Sequence, residues 1–244
     1  MQGDLLTIQG SDYNHIKNVM RLKPGDRLSV SNGTEPYEYI CSINGFSEKE
    51  VFCRIEEKRE RDTELPVRVT LYQGLPKSDK MELIIQKTVE LGVSRIIPVE
   101  MERCVMKLEG GKKDKKTARW QTIAEAAAKQ SQRNVIPEVL PPMKMKEALS
   151  FAKNEEDRIL IPYEKCPADQ STSRILRGLE TGMRIGVFIG PEGGFDEKEI
   201  LMSRESGASV ISLGRRILRT ETAGPAILAW LTYLFEMEQE AVVF

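Results

Sequence analysis

Apolar residues recur in short runs along most of the chain, and turn residues separate these runs. From residue 67 onward, runs typical of strands alternate with stretches whose apolar positions recur every three or four residues, as in helices. This alternation predicts an α/β fold with a mostly parallel sheet covered by helices on both faces. The strands are predicted at 67–71, 95–99, 158–161, 185–189 and 210–213. The helices are predicted at 79–91, 117–132, 145–152, 172–179, 223–235 and in a segment that opens at Asp196.

The first part of the chain has a different pattern. Short alternating segments at 27–30, 37–43 and 51–55 are separated by closely spaced turn residues, which predicts a small β-barrel. A helical turn or two at 13–20 precedes them. The charged run 56–62 indicates a linker or the exposed end of a strand. We therefore predict two domains, 1–63 and 66–244.

Two of the predicted strands end in glycine turns. Gly190–Gly194 follows the strand at 185–189, and Gly214–Arg219 follows the strand at 210–213. Glycine has no Cβ and tolerates positive φ, so these turns can bring bare backbone close to a ligand. In open α/β sheets, ligands bind at such strand ends. Both a ligand-binding loop and a plain strand-to-helix turn are consistent with this pattern.

Composition narrows the function classes. The chain has 244 residues and a net charge of −1, so any binding to nucleic acid must use local basic patches. No apolar run approaches the roughly 20 residues that span a bilayer, and the start of the chain lacks a signal-peptide layout, so we expect a cytoplasmic protein. Four scattered cysteines without a CxxC pattern indicate reduced thiols. With His15 as the single histidine, we expect no metal site, and GxSxG, Walker A and GxGxxG patterns are absent.

Basic and polar residues cluster at two helical segments. The clusters are His15, Lys17 and Arg21 in the first part of the chain, and Glu125, Lys129 and Arg133 at four-residue steps in the second. The first could meet phosphates or form a solvated helix face. The second could form intrahelical ion pairs or a basic edge that faces RNA.

The last predicted helix, 223–235, is apolar almost all round, with Thr232 as its clearly polar residue. Such a helix must be buried on more than one side. Either it is the central core helix of its domain, or a second subunit covers part of it.

The glycine turns carry a family resemblance. The motifs Pro191-Glu192-Gly193-Gly194, Leu213-Gly214 and Ile217 to Ala223, in this order, resemble those of the trefoil-knotted SPOUT methyltransferases. Within these the chain most resembles the RsmE family, which methylates N3 of a uridine in 16S ribosomal RNA. Stretches 15–21, 90–93 and 125–133 support this resemblance. The family's usual opening strand with arginine and an aromatic residue has no match in residues 1–4.

The resemblance implies a C-terminal trefoil-knotted SPOUT domain, a small N-terminal PUA-like RNA-binding β-barrel, S-adenosylmethionine as cofactor, and a homodimer. The 16S ribosomal RNA, within the small ribosomal subunit, is the implied partner. The residues implied to bind the cofactor are Pro162, Tyr163, Ile189, Gly190, Pro191, Glu192, Gly193, Gly194, Leu213, Gly214, Ile217 and Leu218. Those implied to bind RNA are His15, Lys17, Arg21, Arg103, Lys129, Gln130 and Arg133.

Chemistry at uracil N3 suggests two further roles. This nitrogen carries a proton at neutral pH, so the site must supply a base or stabilise the uridine anion. We expect Arg219 to stabilise charge on the uracil oxygens and Glu221 to act as the base or to hold Arg219. An ordinary ion pair between the two is the structural alternative. Ribose 2′-O methylation, a non-catalytic role in RNA binding or ribosome assembly, and small-molecule methylation are the competing functions.

Overall fold

The computed structural model describes residues 4–108, 110–166 and 171–238. The chain packs as two compact units. The first runs to Glu64 and includes Arg133–Val135, and the second comprises Leu65–Gln132 and the chain from Ile136 onward. The segment Arg133–Val135, which nothing in the sequence pattern assigns to the first unit, joins it through a bridge between Gly33 and Val135.

The first unit is a four-stranded antiparallel sheet in the order β1-β4-β3-β2. A short helix that continues into a π-helical turn, 10–19, follows β1, and its buried Ile16 contributes to the core of this unit. Strand β1 was not predicted, and it pairs with β4 along its whole length. Because β4 runs on to Glu60, the charged run 56–62 begins as the exposed end of a strand. The elements are β1 (Leu5–Gln9), α1 (Gly10–Asn14), the π-helical turn (His15–Val19), β2 (Arg27–Val30), β3 (Tyr37–Phe46) and β4 (Glu50–Glu60).

The second unit contains the predicted parallel sheet. Its strands lie in the order β11-β9-β10-β5-β6-β7, every recorded pairing is parallel, and β8 also pairs with β6. The strands are β5 (Arg68–Gly74), β6 (Arg95–Glu100), β7 (Glu138–Val139), β8 (Met143–Lys144), β9 (Arg158–Pro162), β10 (Arg184–Ile189) and β11 (Ser209–Ile211). The helices are α2 (Lys80–Glu90), α3 (Lys112–Gln130), α4 (Met145–Glu155), α5 (Thr172–Arg177), α6 (Glu197–Glu205) and α7 (Thr220–Thr232), which continues as a π-helical segment, Tyr233–Met237.

Several predicted bounds differ from the observed ones, among them those of α3, α7 and β11. Helix α3 begins at Lys112 instead of residue 117, because its lysine-rich first turns are helical although they carry few apolar positions. Helix α7 begins at Thr220, so Pro225 lies inside the helix and not in its first turn. Strand β11 ends at Ile211, which leaves Leu213 in the loop.

The parallel arrangement places functional loops together. Strands β5, β9, β10 and β11 run in the same direction, so the loops that follow them emerge at one edge of the sheet. The strands beneath are almost fully buried, and the rings of Tyr72 and Phe188 on neighbouring strands stack with centroids 4.2 Å apart. No described helix is long and apolar enough to cross a membrane. The trefoil knot stays a prediction from the resemblance.

Candidate functional site

A pocket of about 450 Å³ lies at the carboxyl edge of the parallel sheet. The loops after β9, β10 and β11 form its walls, and the first residues of α2 and α7 complete it. Its lining is Lys80, Pro162, Tyr163, Glu164, Ile189, Gly190, Pro191, Glu192, Gly194, Phe195, Ser212, Leu213, Gly214, Arg215, Arg216, Ile217, Leu218, Arg219, Thr220 and Ala223.

The turn after β10 is held in a tight shape. Gly194 has a φ of +68° and its N–H donates to the carbonyl oxygen of Pro191 at 2.9 Å. Gly190 is equally constrained, since a Cβ there would lie 3.1 Å from the carbonyl carbon of Gly194. The predicted capping box then starts α6: the Asp196 carboxylate accepts from Lys198 N, and Glu199 accepts from Asp196 N.

A buried polar contact ties this turn to the start of α7. The Thr220 hydroxyl, in a residue that is 5% exposed, donates to the carbonyl oxygen of Gly190 at 2.7 Å. The hydroxyl oxygen of Thr220 in turn accepts a 2.9 Å hydrogen bond from the side-chain amide of Gln73, near the end of β5. Three chain segments distant in sequence are therefore joined at one hydroxyl beneath the pocket.

A lysine of the pocket lining pairs with two glutamates, Glu192 in the lining and Glu221 beside it. The ammonium of Lys80 lies 3.2 Å from Glu192 Oε1 and 3.3 Å from Glu221 Oε2. Burial raises the pKa of Glu192, but hydrogen bonds from its own backbone N–H, the Lys77 N–H and Lys80 lower it by more. The pKa of Glu221 is also lowered, chiefly by its own backbone N–H, with Lys80 and Arg219 adding to the effect against burial. Hydrogen bonding to Glu192 in turn raises the pKa of Lys80. All three groups are therefore charged at neutral pH.

The two residues proposed for catalysis occupy different positions. Arg219 lines the pocket and its side chain is 81% exposed, whereas the Glu221 side chain is 17% exposed. Their nearest charged atoms are 4.0 Å apart, at the limit of an ion pair, and Glu221 lies closer to Lys80. The structural alternative, a plain pair between Arg219 and Glu221, is thus the weaker of the two contacts that Glu221 makes.

The structure brings together the residues expected at the cofactor, with one exception. All of them line the pocket apart from Gly193, whose carbonyl oxygen accepts from Arg103 at 3.0 Å. The sequence reasoning missed Lys80, Thr220 and Gln73. The rule that ligands bind at the carboxyl ends of strands could have indicated Lys80, because it closely follows the end of β5.

The RNA-binding residues expected in the first unit lie on one short exposed segment. His15, Lys17 and Arg21 are all exposed. The Lys17 ammonium donates to the hydroxyl of Tyr13 at 2.6 Å. Arg21 has a φ of 57°, a left-handed conformation that ends the helical segment.

The other residues expected to bind RNA separate into three environments, and one of them, Arg133, belongs to the first unit. Arg103 binds the glycine turn through the Gly193 carbonyl and lies 3.5 Å from Asp196, while its side chain stays 45% exposed. Lys129 and Gln130 are exposed at the end of α3. Arg133 is not part of this surface, and the predicted row of three residues is wrong there. Gln132 takes a φ of 59°, which stops the helix and turns the chain.

Arg133 is instead buried. Its side chain is 3% exposed, and its guanidinium forms an ion pair with Glu64, with Nε donating to Glu64 Oε1 at 3.3 Å. A buried arginine of this kind pairs within the protein and does not present its charge to a phosphate.

Comparison with known proteins agrees with this geometry. A family model described as RNA methyltransferase domain matches residues 63–232, and one described as RNA methyltransferase PUA domain matches residues 8–56. A parallel α/β sheet with a glycine-turn pocket, preceded by a small antiparallel unit, thus defines an RNA methyltransferase. Ribosomal RNA small subunit methyltransferase E from Bacillus subtilis is 36% identical over 95% of this chain and 91% of its own. The chain belongs to the ribosomal RNA small subunit methyltransferase E family.

Other relatives give the same picture. The enzyme of that name from Mesomycoplasma hyopneumoniae is 34% identical over 93% of each chain. The crystal structure of the Neisseria gonorrhoeae enzyme, bound to S-adenosyl methionine, aligns with a TM-score of 0.81 and 31% identity over 95% of this chain and 92% of that one. A crystal structure described only as a hypothetical protein aligns with a TM-score of 0.88 and 35% identity, over 97% and 94% of the two chains.

Proposed function

We propose that this protein transfers a methyl group from S-adenosylmethionine to N3 of a uridine in 16S ribosomal RNA. One observation carries the proposal. The pocket at the glycine turns lies in the domain that matches the RNA methyltransferase family, and a relative that aligns over most of the chain binds S-adenosyl methionine. The names of the relatives support ribosomal RNA of the small subunit as the substrate, and the family resemblance and the charged groups beside the pocket support N3 as the methylated atom.

The pocket suits the cofactor. Its volume of about 450 Å³ falls within the range of small-molecule sites, and it combines apolar side chains with accessible backbone groups. Leu213, Ile217 and Leu218 would cover the adenine face, while backbone N–H and carbonyl groups of the two glycine turns would bind its polar edge. The bound cofactor supplies an electrophilic methyl group on sulfur, and the chain must bring the nucleophile in line with it.

The side chains of the protein must remove the proton from uracil N3. Glu221 is ionised at neutral pH, because its pKa is lowered by its own backbone N–H and by Lys80, so it can accept the N3 proton. Arg219, exposed at the pocket lining, would stabilise the negative charge that develops on the uracil oxygens. The target base must first leave its stack in order to reach the pocket.

RNA contacts would come from exposed polar residues of both units. His15, Lys17 and Arg21 belong to the first unit, and Arg103, Lys129 and Gln130 to the second. Phosphate contacts position RNA without reading its sequence, and they weaken as salt rises. The small ribosomal subunit, which carries the substrate RNA, is the proposed partner, and the cytoplasm is the proposed compartment.

A homodimer would cover the free face of α7. One face of this helix is buried in the core through residues such as Ile227 and Leu231. Outside this buried face, Trp230 is 37% exposed and, in the segment that follows, Tyr233 is 61% exposed. Large apolar side chains that remain exposed near each other mark association surfaces. We assign this surface to a second copy of the chain.

The decisive experiment is methyl transfer onto small ribosomal subunits that lack the modification, followed by mass mapping of the product. We expect one methyl group on N3 of a single uridine. Glu221→Gln should lower the rate while leaving calorimetric binding of S-adenosylmethionine intact. A methyl group on a ribose oxygen would establish the 2′-O reaction instead, and a failure to bind the cofactor would favour a non-catalytic RNA-binding role.

A further inference from the structure

We propose that Lys80 is a positioning residue that links Glu192 of the glycine turn to Glu221 of α7 and holds the Glu221 carboxylate next to the pocket lining. The inference rests on the proposed function, because it treats Glu221 as the acceptor of the N3 proton. It adds a residue on α2, which contributes Lys80 to a pocket otherwise built from the loops after β9, β10 and β11 and the start of α7.

The first argument is the position of the ammonium between two carboxylates. Lys80 lies 3.2 Å from Glu192 and 3.3 Å from Glu221, and the two acidic residues come from different loops. Without a cation between them, these carboxylates would repel each other. All three side chains are partly buried, at 31%, 26% and 17% exposure, so solvent screens their interaction less than at an open surface.

The second argument comes from the helix that carries the lysine. Lys80 is the first residue of α2, and Asp79 before it makes no capping hydrogen bond with its side chain. A helix N-terminus carries partial positive charge, so a cation is unfavourable there. The lysine therefore does not serve the local stability of α2, and its place is explained by the two carboxylates that it binds.

The third argument is that Lys80 is not needed to attach the loop before α2 to the glycine turn. The backbone N–H of Lys77 donates to both oxygens of Glu192, at 3.1 and 3.3 Å, so the loop before α2 is already fastened to the glycine turn. What the Lys80 ammonium adds is the contact with Glu221. At 4.0 Å, the exposed Arg219 is a weaker substitute for that contact.

The charged surroundings of Glu221 come from several elements. Lys80 faces it from α2, Arg219 from the loop before α7, and Glu192 from the glycine turn on the far side of Lys80. Further charged residues line the same pocket: Glu164, Arg215 and Arg216. Loss of the Lys80 cation leaves Glu221 with a nearby carboxylate and one exposed arginine, which raises the pKa of Glu221 toward its ordinary value.

The test compares Lys80→Met and Lys80→Arg with Lys87→Met. Lys87 lies on the same helix and pairs with Glu90 at 2.9 Å, outside the pocket lining, so it is a matched control. With small ribosomal subunits as substrate, Lys80→Met should lower kcat about tenfold or more. In the pH–rate profile of Lys80→Met, the fall of kcat on the acidic side should move to higher pH. Lys80→Arg should restore most of the rate, and Lys87→Met should match the wild type.

A double-mutant cycle keeps the test decisive if Lys80→Met also lowers stability. In a Glu221→Gln background, Lys80→Met should cause no further loss of kcat, because its effect passes through Glu221. Additive losses, or a Lys80→Met enzyme with the wild-type acid limb, would overturn the inference. If the wild type itself transfers no methyl group to the subunits, the proposed function fails, and that result is distinct from a failure of Lys80 alone.

Discussion

The hydroxyl of Thr220 donates a 2.7 Å hydrogen bond to the carbonyl oxygen of Gly190 while it accepts one from the amide of Gln73. Gly190 begins the glycine turn, Thr220 begins α7 and Gln73 lies near the end of β5, so the buried Thr220 hydroxyl joins its own segment to two others. Since a buried polar group that loses its partner is costly, this hydroxyl stabilises the shape of the pocket.

Thr220→Val should therefore destabilise the protein by about 1–3 kcal/mol and weaken binding of S-adenosylmethionine. Valine keeps the shape of threonine, but it leaves the Gly190 carbonyl and the Gln73 amide without this partner. Denaturant unfolding and calorimetry provide the two measurements. Thr122→Val is the control, because its exposed hydroxyl only bonds the Ala118 carbonyl within α3. Equal losses in both variants would contradict the special role of Thr220.

Charge reversal at the end of α3 should have two distinct outcomes. Lys129→Glu should weaken RNA binding and reduce its salt dependence, with little change in stability, because Lys129 is exposed. Arg133→Glu should lower the free energy of unfolding by about 3–5 kcal/mol, because it places two carboxylates together in a buried site. Filter binding over a salt series and denaturant unfolding distinguish the two.

Exchanging the charges of the buried pair Arg133 and Glu64 provides a control for this prediction. A variant with Glu64→Arg and Arg133→Glu together should recover part of the stability that Arg133→Glu loses. If Arg133→Glu folds like the wild type and weakens RNA binding as much as Lys129→Glu, then the guanidinium is available to RNA after all.

The contributions of Glu156 and Asp157 to the free energy of unfolding should change with pH in opposite directions. Burial raises the pKa of Glu156 despite hydrogen bonds from Thr70 and Tyr72, so this residue binds a proton more tightly in the folded protein. Its contribution is present at low pH and is lost as pH rises from 4.5 through the raised value. The free energy of unfolding of the wild type relative to Glu156→Gln should fall over that range.

The neighbouring residue is the comparison of opposite sign. Hydrogen bonds from the Arg184 side chain, and then from its backbone, lower the pKa of Asp157 below 3.8. Its stabilising contribution is present above that value and is lost as pH falls through the lowered one. Unfolding titrations of Asp157→Asn against the wild type should therefore converge in acid. Slopes of the same sign for both variants would mean that at least one of the two pKa shifts has the wrong sign.

The exposed side of α7 should carry the dimer contact. Trp230→Glu should convert the protein to a monomer in sedimentation equilibrium, because a charge would be buried at the proposed interface. Leu201→Glu is the matched control, since Leu201 is 59% exposed on α6 and outside that surface. A wild-type protein that sediments as a monomer at all concentrations, or a Trp230→Glu dimer, would contradict the assignment.

Local pattern alone determined much of this molecule. Five of the seven described strands after residue 66, the capping box at Asp196 and the two glycine turns followed from apolar periodicity and turn chemistry, because these depend on neighbours within a few residues; the two-residue strands β7 and β8 were not predicted. The family motifs placed the pocket, since their residues follow strands whose carboxyl ends must share one edge. A small unit of short strands in the first part of the chain was also predicted, as a β-barrel; the structure shows a four-stranded antiparallel sheet whose strand β1 was missed, because its alternating pattern is short and largely exposed.

Tertiary structure alone decided which distant groups meet. Lys80 with Glu192 and Glu221, Gln73 with Thr220, and Arg133 with Glu64 are contacts between segments far apart in the chain, and spacing carries no information about them. The sequence around a basic residue looks the same whether its side chain is exposed on a helix or buried in an ion pair. The chain turns at Gln132, which takes a left-handed conformation, so that Lys129 stays exposed on the helix and Arg133 pairs with Glu64 in a buried site.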